Sequence, residues 1–340
     1  MRSDGAPQSG GASGIAMPDA SSEEWTIGRL IEWTRAYFAR RGIEPPRLEA
    51  EILLAHVLGL ARIDLYMTYE QVVSPQERAA YRDLVRRRAA GEPSRYLVGT
   101  CEFMALALKV TPDVLIPRPE TEMLVEEVIR RARAAAPSPL EAAAEGGPAE
   151  GGPAEGGSGD ADTPGLDVID LCTGCGAAAV SLAVHLPGAR VTATDVSAAA
   201  LALARSNAEA HAVADRVTLL EGDLYEALDT ADARPADFLL ANPPYVAEGE
   251  WPGLPREIRE HEPRQALVAG PEGTEVIERI VRGARAYLKP GGVLMVEIGA
   301  GQGRPARQMA EQARGLVDVE VRKDYAGRDR VLVARREAGE

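Results

Sequence analysis

The stretch "DLCTGCGAAAVSLAVHL", residues 170–186, carries two overlapping patterns. Cys172 and Cys175 form a Cys-x-x-Cys, the spacing of a redox pair or of half a zinc site. Gly174 and Gly176 lie between the apolar run "LDVID" and the helix-forming run "AAAVSLAVHL". That is the place for a glycine turn at a strand–helix join, where the chain bends sharply and a ligand approaches the backbone closely. The first helical turn then offers unpaired N–H groups and a positive dipole end. The choice between these patterns decides the fold.

The metal pattern lacks partners. A zinc site takes four ligands, yet Cys101 is the third and last cysteine, and the four histidines, 56, 185, 211 and 261, are scattered. Cys172 and Cys175 then read as small filler in a tight loop. The glycine pattern gains partners. The next apolar segment, "RVTATD", ends in Asp195, 19 residues after Gly176. An acid there suits a ribose diol. Gly174-x-Gly176-x-x-Ala179 with Asp195 fits a nicotinamide dinucleotide as well as S-adenosylmethionine.

Further along, "DFLLANPPYVAEGEW" (237–251) runs an apolar strand into Asn242-Pro243-Pro244-Tyr245. Two prolines cannot continue a central strand. They stiffen the turn at its carboxyl end, where ligands of such sheets bind. Asn242 supplies an amide oxygen and an amide donor, and Tyr245 a flat face. A planar substrate nitrogen with two N–H bonds can donate one to the Asn242 side chain and one to the Pro243 carbonyl.

The remainder sets the frame. Strand candidates at 167–171, 190–194, 216–220, 237–241, 293–297, 317–322 and 330–334 alternate with helix candidates at 176–186, 198–212, 273–287 and 304–314, which implies an α/β fold with a parallel sheet. Residues 25–95 read as a small all-helical domain: helices begin near Ile27, at Pro46 and after Ser74, and stop at Gly42, Gly59 and Gly91. Residues 96–119 read as a β-hairpin linker, followed by a domain over 120–336. Residues 1–24 read as a disordered tail without an apolar signal segment, with Met17 a second candidate start. The repeat "AEGGP" marks 137–165 as a disordered insertion.

The net charge is −14, which argues against a duplex-DNA binder. Residues 25–98 nevertheless hold 12 arginines against nine acids, a slight excess that either steers a partner or is a solvated helix face. No stretch approaches the roughly 18 apolar residues of a membrane span. With three cysteines there is no disulfide framework, and the expected compartment is the cytoplasm.

Together these phrases resemble the class I, Rossmann-like S-adenosylmethionine-dependent methyltransferases that act on planar amide or amino nitrogens. The resemblance is strongest to the peptide chain release factor glutamine methyltransferases. It covers residues 25–335 apart from the insertion, and rests on "YLVGTCEFMALALKVTPDVLIPRPETEMLVE", "DLCTGCGAAAVSLA", "LLANPPYV", "HEPRQALVAGPEGTE" and "GGVLMVEIGAGQG". The phrase "LIPRPETE" is the most specific to this branch. It distinguishes the chain from ribosomal-protein glutamine methyltransferases.

The resemblance implies a seven-stranded sheet behind a helical domain that helps grip a class 1 release factor. It implies S-adenosylmethionine as cofactor, no metal, and no direct DNA or membrane binding. Cys172, Thr173, Gly174, Cys175 and Gly176 would wrap the methionine end and Asp195 would hold the ribose. Asp223 would face the adenine amino group and Leu224 the ring. Asn242, Pro243, Pro244 and Tyr245 would hold and orient the substrate glutamine, with Arg118 and Glu120 near the mouth of the site. Glu297 and the loop 261–273 line the pocket or serve structure alone. The chain departs from the family at Cys172, where glycine is usual, so a backbone conformation open to other residues is expected there. It departs also at Leu224, where some relatives carry an aromatic ring. A ribosomal-protein glutamine methyltransferase, an adenine-N6 DNA methyltransferase and a non-catalytic release-factor-binding module remain the competing readings.

Overall fold

A computed structural model describes residues 24–135, 165–231 and 233–339. The expected tail and insertion, except for residues 24 and 165, lie outside them. The chain divides into two compact units at Val98/Gly99.

The first unit is helical. Its helices are α1 (Ile27–Arg40), α2 (Pro46–Leu58), α3 (Arg62–Met67), α4 (Pro75–Ala89) and α5 (Ser94–Val98). The start of α1 is capped by Thr26, whose hydroxyl accepts the Arg29 N–H. That of α4 is a reciprocal box: Ser74 Oγ accepts the Glu77 N–H and Glu77 returns to the Ser74 N–H at 2.8 Å. Gly59 ends α2 at φ 64°, the left-handed cap that glycine adopts without strain. Ile27, Leu30, Ile31 and Phe38 pack on Leu53, Leu54, Tyr81 and Val85 to form the core. The residue pattern carries no sign of α3: at six residues it is too short to show a period, and it leaves Ile63 and Met67 exposed. Residues 96–98, expected in the hairpin, close α5 instead, with the Leu97 N–H on the Pro93 carbonyl. Their apolar side chains suit either structure, and the turn opened by Pro93 selects the helix.

The second unit opens with a narrower hairpin, β1 (Thr100–Phe103) and β2 (Leu106–Lys109), then α6 (Glu122–Ala135). Its body is one seven-stranded sheet. In chain order the strands are β3 (Leu166–Leu171), β4 (Ala189–Asp195), β5 (Val217–Glu221), β6 (Ala236–Ala241), β9 (Leu288–Glu297), β10 (Leu316–Lys323) and β11 (Asp329–Arg336). A separate two-stranded pair, β7 (Val246–Ala247) and β8 (Val268–Gly270), lies between β6 and β9 in the chain. In space the large sheet runs β10-β11-β9-β6-β3-β4-β5. Helices α7 (Ala177–His185), α8 (Ala198–Ala210), α9 (Glu226–Thr230), α10 (Arg256–His261), α11 (Glu275–Tyr287) and α12 (Gly303–Gln312) fill the connections. All seven expected strands are present. One expectation fails: β11 pairs antiparallel with both β9 and β10. Only residues 324–328 join β10 to β11, too few for the crossover a parallel strand requires.

The chain winds from β3 outward to β5, then returns to the other side of β3 with β6. Neighbouring connections diverge at that switch and leave a crevice above the carboxyl ends of the strands. Register brings three ends together: Leu171 lies beside Thr194 on one side and Ala241 on the other. The residues that follow, Cys172, Asp195 and Asn242, therefore leave the sheet side by side. No described helix is long and apolar enough to cross a membrane.

Candidate active site

The glycine turn leaves β3 through three left-handed residues: Cys172 at φ 59°, Gly174 at 57° and Gly176 at 81°. The expectation of an ordinary conformation at Cys172 is therefore wrong. An L-residue in this region costs roughly 1–2 kcal/mol. The path of the turn imposes the conformation, and packing of Cys172 on the core beneath the sheet offsets part of its cost. At Gly174 a side chain would point into open space, so the glycine leaves the backbone bare toward the crevice. At Gly176 a Cβ would come within 3.0 Å of the Ala204 Cβ, so this glycine lets α7 and α8 approach.

Neither cysteine is a reactive thiolate. Burial pushes the Cys175 thiol up to about 12 and, with Asp195 and Asp170 nearby, pushes Cys172 up as well. A redox pair requires the opposite shift. Among the described residues no His/Cys/Asp/Glu group could hold a metal ion.

Two acids flank the turn. Asp170 is buried, accepts the Thr173 hydroxyl at 2.6 Å, and is pushed up to about 7 by burial, with the Asp195 charge adding to the effect. Asp195 accepts the Gly174 N–H and the Ser197 N–H, each at 2.9 Å. Burial raises its carboxyl too, against the pull of those N–H groups. At the end of β5, Asp223 accepts Arg279 at 2.8 Å, both half-exposed. Leu224 follows at φ 53° and is buried.

Across the crevice, Asn242 leaves β6. Its Nδ2 donates to Thr121 Oγ1 at 3.0 Å, and Thr121 donates to Glu297 Oε2 at 2.6 Å. The Tyr245 hydroxyl donates to the other oxygen of Glu297 at 3.3 Å. Glu297 is fully buried at the end of β9, and burial raises its carboxyl above the usual range. The carbonyl of Tyr245 accepts Gln302 Nε2 at 2.8 Å, and Gly273 passes so close that a Cβ there would meet this carbonyl at 2.7 Å. The Asn-Pro-Pro-Tyr turn is thus clamped from behind.

These groups enclose a cavity of about 330 Å³. Of the residues singled out in the sequence, Cys172, Thr173, Gly174, Cys175, Asp195, Asp223, Leu224, Asn242 and Pro244 line it. Gly176, Pro243, Tyr245 and Glu297 are not among its lining residues. Arg118 and Glu120 do not line it either: Arg118 is paired with the buried Glu262, and their neighbours Pro117 and Thr121 reach the cavity. From the loop 261–273, Pro263, Gln265, Ala266 and Val268 contribute. Sequence reading passed over Asp170, Thr121, Val196 and Arg279 as lining residues. Val196 directly follows Asp195 and Thr121 sits within "LIPRPETE", so both had a signal; Arg279, on an ordinary amphipathic helix, had none.

The lining suits a cationic nucleoside. Four acids (Asp113, Asp170, Asp195 and Asp223) line it with one Arg279, while Leu224, Val196 and Ala200 supply apolar surface and Gly174 carries no side chain. S-adenosylmethionine fits this donor and acceptor set.

The family profile "PrmC N-terminal domain" matches residues 29–99, and "Methyltransferase small domain" matches residues 161–254. Among solved structures, a methyltransferase from Pyrococcus furiosus is similar at a TM-score of 0.45 and 16% identity, over 69% of this chain and 90% of that one. The release factor glutamine methyltransferase of Rhodopirellula baltica is 40% identical over 91% of this chain and 95% of its own length. That of Geobacter sulfurreducens is 42% identical over 92% and 98%, and that of Bordetella pertussis 42% over 84% and 93%. With such identity sustained along nearly the whole of both partners, the chain belongs to the release factor glutamine methyltransferase family.

Proposed function

We propose that this protein methylates the side-chain amide nitrogen of the glutamine in the Gly-Gly-Gln motif of class 1 release factors, giving N5-methylglutamine. S-adenosylmethionine, when bound, supplies an electrophilic methyl group on a sulfonium. The amide nitrogen would take that methyl, the electron pair of the broken carbon–sulfur bond staying with sulfur and the nitrogen's surplus proton passing to water.

Asp195 would accept the ribose hydroxyls while its backbone partners hold it in place. The turn from Cys172 to Gly176, where Gly174 carries no side chain, would let the methionine end lie close to the backbone, and the Asp170 carboxylate would favour its positive charge. Asp223 and Leu224 would flank the adenine. Asn242 Oδ1 and the Pro243 carbonyl would each accept one N–H of the substrate amide, and Pro244 and Tyr245 would shape the slot around it. An amide is a poor nucleophile because its lone pair is delocalised. Rate then comes chiefly from alignment, worth up to ~7–11 kcal/mol.

The observation that supports this reading most is the placement of Asn242. Its NH2 group donates to Thr121 and the residue lines the acid-rich cavity, so its oxygen would be the acceptor for a substrate N–H. The helical unit, with its slight excess of arginine, would help grip the release factor, with Arg118 and Glu120 near the approach. This reading places the protein in the cytoplasm and requires no DNA binding. The test is labelled S-adenosylmethionine with release factor, ribosomal proteins and DNA in parallel. Label on the release-factor glutamine alone supports the reading, and label on DNA or ribosomal protein instead refutes it.

A further inference from the structure

The chain contains only two asparagines, Asn207 and Asn242. An asparagine amide has two faces that differ only in oxygen and NH2, so something must decide which one meets the substrate. For Asn242 the decision lies in the direction of a hydrogen-bond chain. Thr121 is buried, 5% exposed, and its hydroxyl has one proton. That proton goes to Glu297 Oε2 at 2.6 Å. Thr121 Oγ1 therefore presents a lone pair to Asn242, and only the NH2 end, at 3.0 Å, can answer it. Turning the amide over would set two acceptors against each other. Glu297 in turn is 1% exposed, and its second oxygen takes the Tyr245 hydroxyl.

We infer that Thr121, oriented by Glu297, is a positioning residue that fixes the polarity of the Asn242 amide, so that its oxygen and not its nitrogen meets the glutamine N–H. The inference rests on the proposed role of Asn242 toward the substrate amide. It gives "LIPRPETE" a physical role. Arg118 is tied to the buried Glu262, the short 3-10 turn Pro119–Thr121 follows, and Thr121 is delivered to the NH2 end of Asn242. A carboxylate at 297 suits this role because, when ionised, it can only accept. Glutamine there could donate instead and reverse the chain.

The test uses the full-length protein as Thr121→Val and Thr121→Ser, with selective 15N labelling of asparagine. Two side-chain amide pairs are expected, and Asn242→Asp assigns one of them. In the wild type one Asn242 hydrogen should exchange slowly. Thr121→Val should lose that protection and about ten- to a hundredfold in kcat, the effect of an unmet buried polar group, with a much smaller change in S-adenosylmethionine affinity. Thr121→Ser, which keeps the hydroxyl, should restore both. A release factor carrying Gly-Gly-Glu should compete better against Thr121→Val, since a freed amide can turn its NH2 toward a carboxylate. Equal losses in the Val and Ser variants, or full protection and turnover in Thr121→Val, would overturn the inference. If the wild type methylates no release-factor glutamine, the proposed substrate falls, while the amide exchange still decides whether Thr121 sets the amide.

Discussion

The Asp195 carboxylate reaches back across 21 residues to accept the Gly174 N–H at 2.9 Å, and its other oxygen takes the Ser197 N–H. One side chain thus joins the glycine turn after β3 to the start of α8. Both oxygens keep lone pairs for a ligand. Asp195→Ala should weaken S-adenosylmethionine binding by roughly ten- to a hundredfold, the worth of hydrogen bonds to a charged acceptor. Calorimetric titration reads this directly. An unchanged dissociation constant would remove Asp195 from the ribose site.

Cys172 holds a left-handed conformation that glycine adopts freely. Cys172→Gly should leave thermal stability equal or higher, because relief of ~1–2 kcal/mol of strain opposes the lost thiol packing and the added chain entropy. Cys172→Val should be less stable than wild type by at least about 1 kcal/mol, since a β-branched residue suffers most there. Denaturant melts of the three proteins make the comparison; a Val variant as stable as the Gly variant would contradict the strained turn.

Asp170 links the site to pH. In the unfolded chain its carboxyl ionises near its ordinary value of about 4, whereas burial pushes the folded value up to about 7. Between those values the folded state holds a proton that the unfolded state has released, so stability falls as pH rises through this window. Asp170→Asn should flatten that fall. Asp195, shifted in the same direction, leaves a residual slope. Affinity for a cationic cofactor should also rise from pH 6 to pH 8 in the wild type and rise less in Asp170→Asn. Melting curves and titrations at both pH values check the two signs, and identical profiles for wild type and variant would exclude Asp170 as the titrating group.

Much of the fold was legible because local pattern and tertiary place coincide. Each strand was a short apolar run, and each functional position sat just past the end of one: Cys172 after β3, Asp195 closing β4, Asp223 after β5, Asn242 after β6. What escaped notice depends on groups meeting across the chain. Thr121 and Glu297 are 176 residues apart, and nothing local pairs them. Arg279 enters the cavity from α11, where Asp223 of a distant loop meets it. The antiparallel β11 was legible but overlooked: the short gap between the candidates 317–322 and 330–334 leaves no room for the crossover a parallel strand needs. The φ of Cys172 was misjudged because residue type was taken as a guide to conformation where the path of the turn decides it.

The central claim concerns the acceptor nitrogen at Asn242. Full-length protein should be incubated with S-adenosylmethionine and an unmodified class 1 release factor, and the Gly-Gly-Gln peptide then analysed by tandem mass spectrometry. The account predicts a single added methyl on the glutamine with the wild type. It predicts a loss of at least about a hundredfold in rate with Asn242→Ala, an order set by the unmet substrate N–H and the lost alignment, while cofactor affinity stays within a few-fold. A methyl-free glutamine with the wild type, or undiminished methylation with Asn242→Ala, would contradict it.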